Sequence, residues 1–268
     1  MKVLRLLLLF ILLVCVGVGG AIVVNQRAFI YYPSKRQVAA NYPGVTVEHI
    51  PTADGETLVA WYLPPPATNG VRGPIFLYFD GNAGRPESWA SRWQQIQEGG
   101  AGFLAVYYRG YSGSTGHPSE AGLYEDARAG YAWLTAHDYA ASDIVIHGFS
   151  LGAGPAVHLA SERPARALVL EGAYTGVDDV ARGWVGPLAA LVVDRYPTRD
   201  FIPRVHMPVL IVHGDRDMVV PFAQGERLYT LANEPKQFVR IRGAQHATLL
   251  RHGLYDHIWT FLAQHPGS

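Results

Sequence analysis

The sequence predicts an α/β domain with a mostly parallel central sheet and helices on both faces, preceded by one N-terminal transmembrane helix. Short apolar runs alternate with longer helical segments between residues 74 and 264, which is typical of parallel strands buried on both faces. Hydrophobic residues make up 49% of the 268-residue chain, enough for one large core. Residues 6–24 carry no charged or strongly polar side chain. These features place one membrane segment ahead of one folded domain.

The first element is the apolar run at residues 6–24. As a helix it would reach about 28 Å, close to the ~30 Å hydrocarbon core of a bilayer. Lys2 and Arg5 precede the run, which favours a retained signal anchor over residues 1–26. The expected product is a single-pass membrane protein with its domain, residues 27–268, outside the cytoplasm. The alternative is a secreted protein, released by signal-peptide cleavage at Gly19-Gly20-Ala21.

The domain begins with an antiparallel strand pair at residues 45–50 and 57–63, joined by a turn that contains Asp54 and Gly55. Apolar runs then predict parallel strands at residues 74–79, 103–108, 143–147, 167–170, 209–212 and 238–241. The predicted helices lie at residues 86–98, 120–136, 153–162, 222–232 and 254–264. Residues 174–203 interrupt this alternation and predict either a crossover helix packed on the sheet or a short cap beside a pocket.

Charge and composition exclude several classes of function. The formal net charge is zero, the isoelectric point is near 7.2, and no basic stripe occurs, so we expect no nucleic-acid binding. The one cysteine, Cys15, lies in the apolar run, so the domain has no disulfide and no thiol chemistry. The histidines are scattered, without a His-Glu-x-x-His motif or a Cys/His cluster, so we expect no metal and no cofactor. The oligomeric state has no signal in the sequence.

Ser150 lies in Gly148-Phe149-Ser150-Leu151-Gly152, directly after an apolar strand and before a small-residue helix. This is G-x-S-x-G in the strand–turn–helix setting of a nucleophile elbow, which projects the serine from the sheet edge. Strand and helix nearly touch in such a turn, so the positions two before and two after the serine must lack bulk. Gly148 and Gly152 meet that demand. The alternative is a glycine-rich turn without chemistry.

A serine hydroxyl becomes a nucleophile only beside a base that a third group orients. We expect the acid in a loop after a late strand and the base in the loop after the last strand. Asp217, after the strand at residues 209–212, is the predicted acid. Asp215 is the nearer competitor, although Asp often forms turns, and Glu171 is a more distant one. His246, just before the C-terminal helix, is the predicted base.

A serine nucleophile also needs two N–H donors where negative charge develops on the substrate oxygen. The Leu151 N–H, at the start of the elbow helix, is one predicted donor. The second is expected from the glycine-rich loop after the first parallel strand. There the Asn82 N–H is the predicted donor and Ala83 its near competitor. The alternative is that this loop only reverses the chain.

Together these motifs resemble the α/β-hydrolase superfamily over residues 27–268. Within it, the chain is most similar to membrane-anchored serine hydrolases of the bud-emergence type, whose animal relatives include protein depalmitoylases. The resemblance is carried by residues 29–33, 80–84, 108–120, 148–152, 213–217 and 243–246. One position departs from the family pattern, because Asp80 replaces the usual histidine of His-Gly-Asn-Ala-Gly. This places an acid near the expected negative charge.

The motifs and the resemblance imply an α/β-hydrolase fold and a serine hydrolase that cleaves ester, thioester or amide bonds through an acyl-enzyme. Ser150 would attack, His246 would carry the proton, and Asp217 would orient the imidazole. The amides of Asn82 and Leu151 would hold the oxyanion. A small-molecule or lipidated acyl substrate is expected, with membrane attachment through the N-terminal helix. The alternatives are a serine peptidase or an acyltransferase on the same triad, and a catalytically silent membrane scaffold.

Overall fold

The computed structural model describes residues 2–34, 40, 42–68 and 71–267. Its described strands are β1 Thr46–Pro51, β2 Thr57–Leu63, β3 Ala67–Thr68, β4 Val71–Arg72, β5 Ile75–Phe79, β6 Gly102–Val106, β7 Ile144–Phe149, β8 Ala167–Glu171, β9 Val209–Gly214 and β10 Lys236–Ile241. Eight of them form one sheet in the order β1-β2-β6-β5-β7-β8-β9-β10, and β3 pairs with β4 in a separate hairpin.

The sheet is antiparallel at β1-β2-β6 and parallel at every later pair. Strands β5 to β9 are buried along their whole length, which explains why they read as continuous apolar runs. The predicted parallel sheet is therefore confirmed. Phe79, the last residue of β5, lies beside Gly148 of β7 in the register. The loops after β5 and β7 consequently leave the sheet at the same carboxyl edge.

The described helices are α1 Lys2–Asn25, α2 Arg27–Ile30, α3 Ala90–Glu98, α4 Glu120–Ala136, α5 Ala153–Ala160, α6 Val177–Val185, α7 Thr198–Phe201, α8 Phe222–Leu231 and α9 Leu254–Gln264. Helix α3 begins later than predicted, because Pro86–Ser88 forms a separate 3-10 turn and Trp89 has a non-helical ψ of 33°. Side chains of α3 pack on the sheet, where Trp93 stacks on Phe103 of β6 at a centroid distance of 4.2 Å. Burial of such aromatic side chains stabilises the fold by about 1.5–3 kcal/mol each.

Residues 174–203 do not form one crossover helix. They contain α6, then a 3-10 segment at Gly186–Leu191, then α7. Helix α6 ends at Gly186, whose φ of +54° lies in the left-handed region, and Pro187 follows it. The sequence periodicity reflects α6 and the 3-10 segment together, because both present apolar side chains at near-helical spacing.

Hydrogen bonds hold the junction of the N-terminal helices α1 and α2 against the segment that follows α6. The Gln26 side chain accepts a hydrogen bond from Val193 N at 2.6 Å, and Arg27 donates to Asp194 at 2.8 Å. Over the residues that the structure describes, no helix is both long and apolar enough to cross a bilayer. The predicted transmembrane helix at residues 6–24 is therefore not confirmed.

Candidate active site

Ser150 lies where β7 turns directly into a 3-10 turn at Ser150–Gly152 and then into α5. Its φ is +51°, in the left-handed region that a non-glycine residue rarely adopts. Such strain persists only where the surrounding structure enforces it. Here a Cβ on Gly152 would collide with the Phe79 carbonyl, and one on Gly148 with the Gly152 carbonyl. Glycine at both positions lets strand and helix approach closely enough to form this turn.

The structure brings Ser150, His246 and Asp217 together in one hydrogen-bonded series. His246 Nε2 lies 2.7 Å from Ser150 Oγ, and His246 Nδ1 lies 2.6 Å from Asp217 Oδ2. Because an ionised carboxylate only accepts hydrogen bonds, Nδ1 carries the proton and Nε2 is left to accept the Ser150 hydroxyl. This tautomer is the one a general base needs.

The Asp217 carboxylate is buried and held from several sides. Its Oδ1 accepts the backbone N–H groups of Val219 and Val220, each at 2.8 Å. Its Oδ2 faces His246 and also lies 3.3 Å from His213 Nε2. Burial opposes ionisation, but the hydrogen bonds from His213 and His246 outweigh it and hold the pKa of Asp217 well below its usual range. Asp217 is therefore a fixed, ionised acceptor.

Asp215, the nearer competitor for the acid, has different partners. Its carboxylate accepts hydrogen bonds from Arg240 at 2.9 Å and from Gly243 N at 2.7 Å. These contacts close the turn that leads into the His246 loop. Asp215 is thus a turn residue in this structure and not a partner of the imidazole.

Glu171, the more distant competitor, ends β8 but is turned into the core. It pairs with the fully buried Arg92 at 2.9 Å and lies 3.5 Å from His147. Burial raises the pKa of Glu171, but the Arg92 charge outweighs it and leaves the pKa lowered. The next residue, Gly172, has a φ of +56°, and a Cβ there would lie 3.1 Å from the His246 ring. Glycine at this position leaves room for the imidazole.

The loop after β5 holds the predicted second oxyanion donor. A trans peptide points its C=O and N–H in opposite directions. The Gly81 carbonyl accepts from Gly84 N at 2.9 Å, which sets the direction of the Asn82 N–H. The Asn82 carbonyl accepts a hydrogen bond from Tyr111 Oη at 2.7 Å, and this sets the direction of the Ala83 N–H. Asn82 borders both cavities beside Ser150, whereas Ala83 borders only one, so Asn82 remains the predicted donor.

Asp80, the departure from the family pattern, holds the shape of this loop. It is buried, and its carboxylate accepts hydrogen bonds from Gly81 N at 2.7 Å, Arg85 N at 2.9 Å and Trp89 Nε1 at 2.9 Å. Burial raises the pKa of Asp80 although these donors oppose the shift. Both oxygens are thus occupied by donors that come from the loop and from the turn just after it.

Several known proteins are similar to this chain in sequence or in fold. No protein-family model matches the chain. The uncharacterized protein Rv2307c of Mycobacterium tuberculosis is 39% identical over 241 residues, which are 87% of this chain and 85% of that protein. Human alpha/beta hydrolase domain-containing protein 17B is 32% identical over 161 residues, which are 59% of this chain and 54% of that protein. The solved Pyrococcus furiosus esterase Pf2001 superposes with a TM-score of 0.70 at 19% identity, covering 89% of this chain and 98% of the esterase.

The chain has the α/β-hydrolase fold. With Rv2307c it also shares one family, because the identity extends over most of both chains. The likeness to the Pyrococcus esterase adds the fold alone, since so low an identity carries no information on substrate.

Residues 108–120, expected only as a loop beside the elbow, support the loop after β5 directly. Tyr108 Oη donates to the Asp80 carbonyl at 2.6 Å, and Tyr111 Oη donates to the Asn82 carbonyl. Arg109 fixes the loop in turn through Asp126 at 2.8 Å. The sequence carries no local signal for the two tyrosine contacts, because each joins residues that are 28 or 29 positions apart along the chain.

Two further residues of the site have no signature in the sequence. His213, at the end of β9, is fully buried and contacts both the Asp217 carboxylate and the Val220 carbonyl, the latter at 3.0 Å. Gly172 makes room for His246. The contacts of His213 and of Gly172 form where loops from different strands meet. The only sequence feature that points to His213 is its place in the run His-Gly-Asp-Arg-Asp at residues 213–217.

Two cavities border Ser150. One, of about 310 Å³, lies between the oxyanion loop and His246 and includes Trp89 and the exposed Arg85. The other, of about 170 Å³, is mainly apolar and is bordered by Phe29, Ile30, Val177, Val180, Val219 and Val220. A substrate bound at the nucleophile therefore has two cavities next to it, one for each part of the molecule.

Proposed function

We propose that this protein is a serine hydrolase that cleaves ester or thioester bonds of acyl substrates, with Ser150, His246 and Asp217 as its catalytic triad. The observation that carries the proposal is the continuous hydrogen-bonded series from Ser150 Oγ to Asp217, beside a built oxyanion loop. A triad residue is recognised by geometry and role. The same arrangement can also cleave amides, so the bond type is part of the test.

The geometry supports a two-step reaction. His246 Nε2 takes the Ser150 proton as Oγ attacks the carbonyl carbon, and the carbonyl oxygen becomes an oxyanion. The N–H groups of Asn82 and Leu151 stabilise that charge, each by roughly 3 kcal/mol. His246 then returns the proton to the leaving alcohol or thiol as the bond to carbon breaks. Water, activated by the same imidazole, releases the acid and restores Ser150.

The apolar cavity beside Ser150 supports an acyl chain as the bound group. Phe29, Ile30, Val177 and Val180 border this cavity and also a larger apolar groove of about 430 Å³ that ends at Trp184. A chain that enters at Ser150 can continue along the groove between α2 and α6. Each buried methylene contributes about 0.8 kcal/mol, which is roughly a fourfold gain in kcat/KM.

A panel of p-nitrophenyl esters of increasing acyl length tests this function. We expect kcat/KM to rise with chain length, and Val180→Trp to remove the preference while activity on the acetate ester persists. Val180→Leu is the matched control and should retain most of the preference. Turnover of aminoacyl amides alone would overturn the ester proposal and favour a peptidase, and acyl transfer to an added alcohol without hydrolysis would favour a transferase.

We also propose that residues 1–26 hold the protein at a membrane, with residues 27–268 outside the cytoplasm. The support is the sequence alone, namely the uncharged run at residues 6–24 preceded by Lys2 and Arg5. The full chain should sediment with membranes, resist an alkaline carbonate wash, and lose its domain to protease added outside intact cells. A shortened, freely secreted chain would overturn the proposal in favour of a cleaved signal peptide.

A further inference from the structure

Large apolar side chains are exposed together on one side of the described structure. Phe29 of α2 and Trp184, Val185, Leu188, Leu191 and Val193, in or just after α6, each expose about half or more of their surface, and Trp184 exposes 74%. We call these six residues the docking face. Concentrated exposed apolar groups of this kind are uncommon on a protein that meets only water, and mark an interaction surface.

The docking face is continuous with α1. Gly19 of α1 and Gln26, directly after α1, border the same small cavity as Val185, Leu188 and Leu191. The Gln26 side chain also bonds to Val193 N. Whatever surface receives the last turns of α1 therefore also meets the docking face.

The exposure pattern of α1 identifies the chemistry of that surface. Leu6, Leu7, Leu8, Leu9 and Phe10 are all exposed, between 52% and 66%. Five consecutive residues point in every direction around a helix axis. A protein partner would cover one stripe of such a helix, whereas lipid acyl chains can surround it.

Charges around the docking face fit an anionic lipid surface. Arg182 and Arg195 are exposed next to it. The nearby carboxylates all have partners. Asp178 and Asp179 pair with Arg199, Asp194 pairs with Arg27, and Glu120 accepts hydrogen bonds from the N–H groups of Arg195 and Tyr196. A surface with basic side chains around apolar and indole groups is typical of proteins that lie in the headgroup region.

We infer that the docking face lies on an anionic phospholipid membrane, inserted roughly 5–10 Å below the headgroups. The groove that runs from Ser150 past Val180 to Trp184 then opens on the lipid. An acyl substrate resident in the membrane can enter the groove without crossing water. The docking rests on the proposed membrane attachment of residues 1–26, which the carbonate wash tests separately, and it does not depend on the proposed hydrolysis.

Tryptophan quenching by brominated lipid tests this inference with the full chain. The protein is reconstituted in vesicles of phosphatidylcholine and phosphatidylglycerol that carry bromine near the top of the acyl chains. Among the described tryptophans only Trp184 is strongly exposed, since Trp61 and Trp93 are buried and Trp89, Trp133 and Trp259 are half-buried. We expect quenching of the wild-type emission and its loss in Trp184→Phe. Trp133→Phe is the matched control and should retain the quenching.

A second pair of variants tests the face with Trp184 in place. Leu188→Asp should weaken the quenching, whereas Leu231→Asp, on α8, should leave it unchanged. Equal quenching in wild type and Trp184→Phe would overturn the inference. So would an unquenched Trp184 protected by a second copy of the chain, detected by cross-linking. Labelling of Ser150 by a fluorophosphonate reports separately on the chemistry, so failure of one proposal is distinguishable from failure of the other.

Discussion

Replacement of Ser150 by alanine is expected to abolish fluorophosphonate labelling and to lower kcat by about 10⁶-fold. The reason is that Ser150 Oγ is the hydroxyl hydrogen-bonded to His246 Nε2, at 2.7 Å. Without Oγ no acyl-enzyme forms, and only the binding site and the oxyanion donors remain. Labelling of the purified full chain and single-turnover kinetics with a chromogenic ester measure both effects.

Ser161→Ala is the matched control for this substitution. Ser161 follows α5 and its hydroxyl donates to the His158 carbonyl, away from the triad. The control should retain labelling and turnover, and both variants should unfold in urea near the wild-type midpoint. Undiminished labelling of Ser150→Ala would refute the nucleophile assignment.

Asp217→Asn is expected to lower kcat by roughly 10⁴-fold with little change in fold. The two backbone N–H groups of Val219 and Val220 require an acceptor at the Oδ1 position. They would keep the amide oxygen of the asparagine there and turn its NH₂ toward His246. An NH₂ donor forces Nδ1 to accept, so the imidazole proton moves to Nε2, which can no longer take the Ser150 proton. Steady-state kinetics on the best ester of the panel measure the loss.

Asp215→Asn is the matched control two residues away. Its carboxylate pairs with the exposed Arg240 and accepts from Gly243 N, and an asparagine oxygen can retain the latter bond. Since surface ion pairs contribute about 0–1 kcal/mol, activity should fall less than about fivefold. If Asp215→Asn were the damaging substitution and Asp217→Asn the mild one, the acid would have to be reassigned.

Much of the fold could be predicted from the sequence because its signals are local. Strands β5, β7 and β9 are continuous apolar runs, and each is buried on both faces. The elbow was predictable for the same reason. A tight turn over five residues leaves no room for a Cβ at positions 148 and 152, and both are glycine. The segment after β8 was less predictable, because Gly186 and Pro187 end α6 inside an apolar pattern that continues across them.

The choice of acid shows where local signals stop. Asp215 and Asp217 follow the same strand, and both are plausible from spacing. In the structure one faces Gly243 and the other His246, because the loop after β9 turns between them. The membrane segment shows a different limit of local patterns. The sequence predicts it from the composition of residues 6–24, but the described helices do not confirm it.

The sequence by itself determined the order of the main strands and helices along the chain and the tight turn that presents Ser150. It also determined the set of residues able to form a triad. These depend on periodicity and on steric limits between near neighbours in the chain. Only the tertiary structure decided that Asp217 meets His246, that Asp80 holds the loop after β5, and that His213 contacts Asp217. Those contacts join loops at one edge of the sheet, and a distance through space is set by how the strands align, which no local pattern encodes.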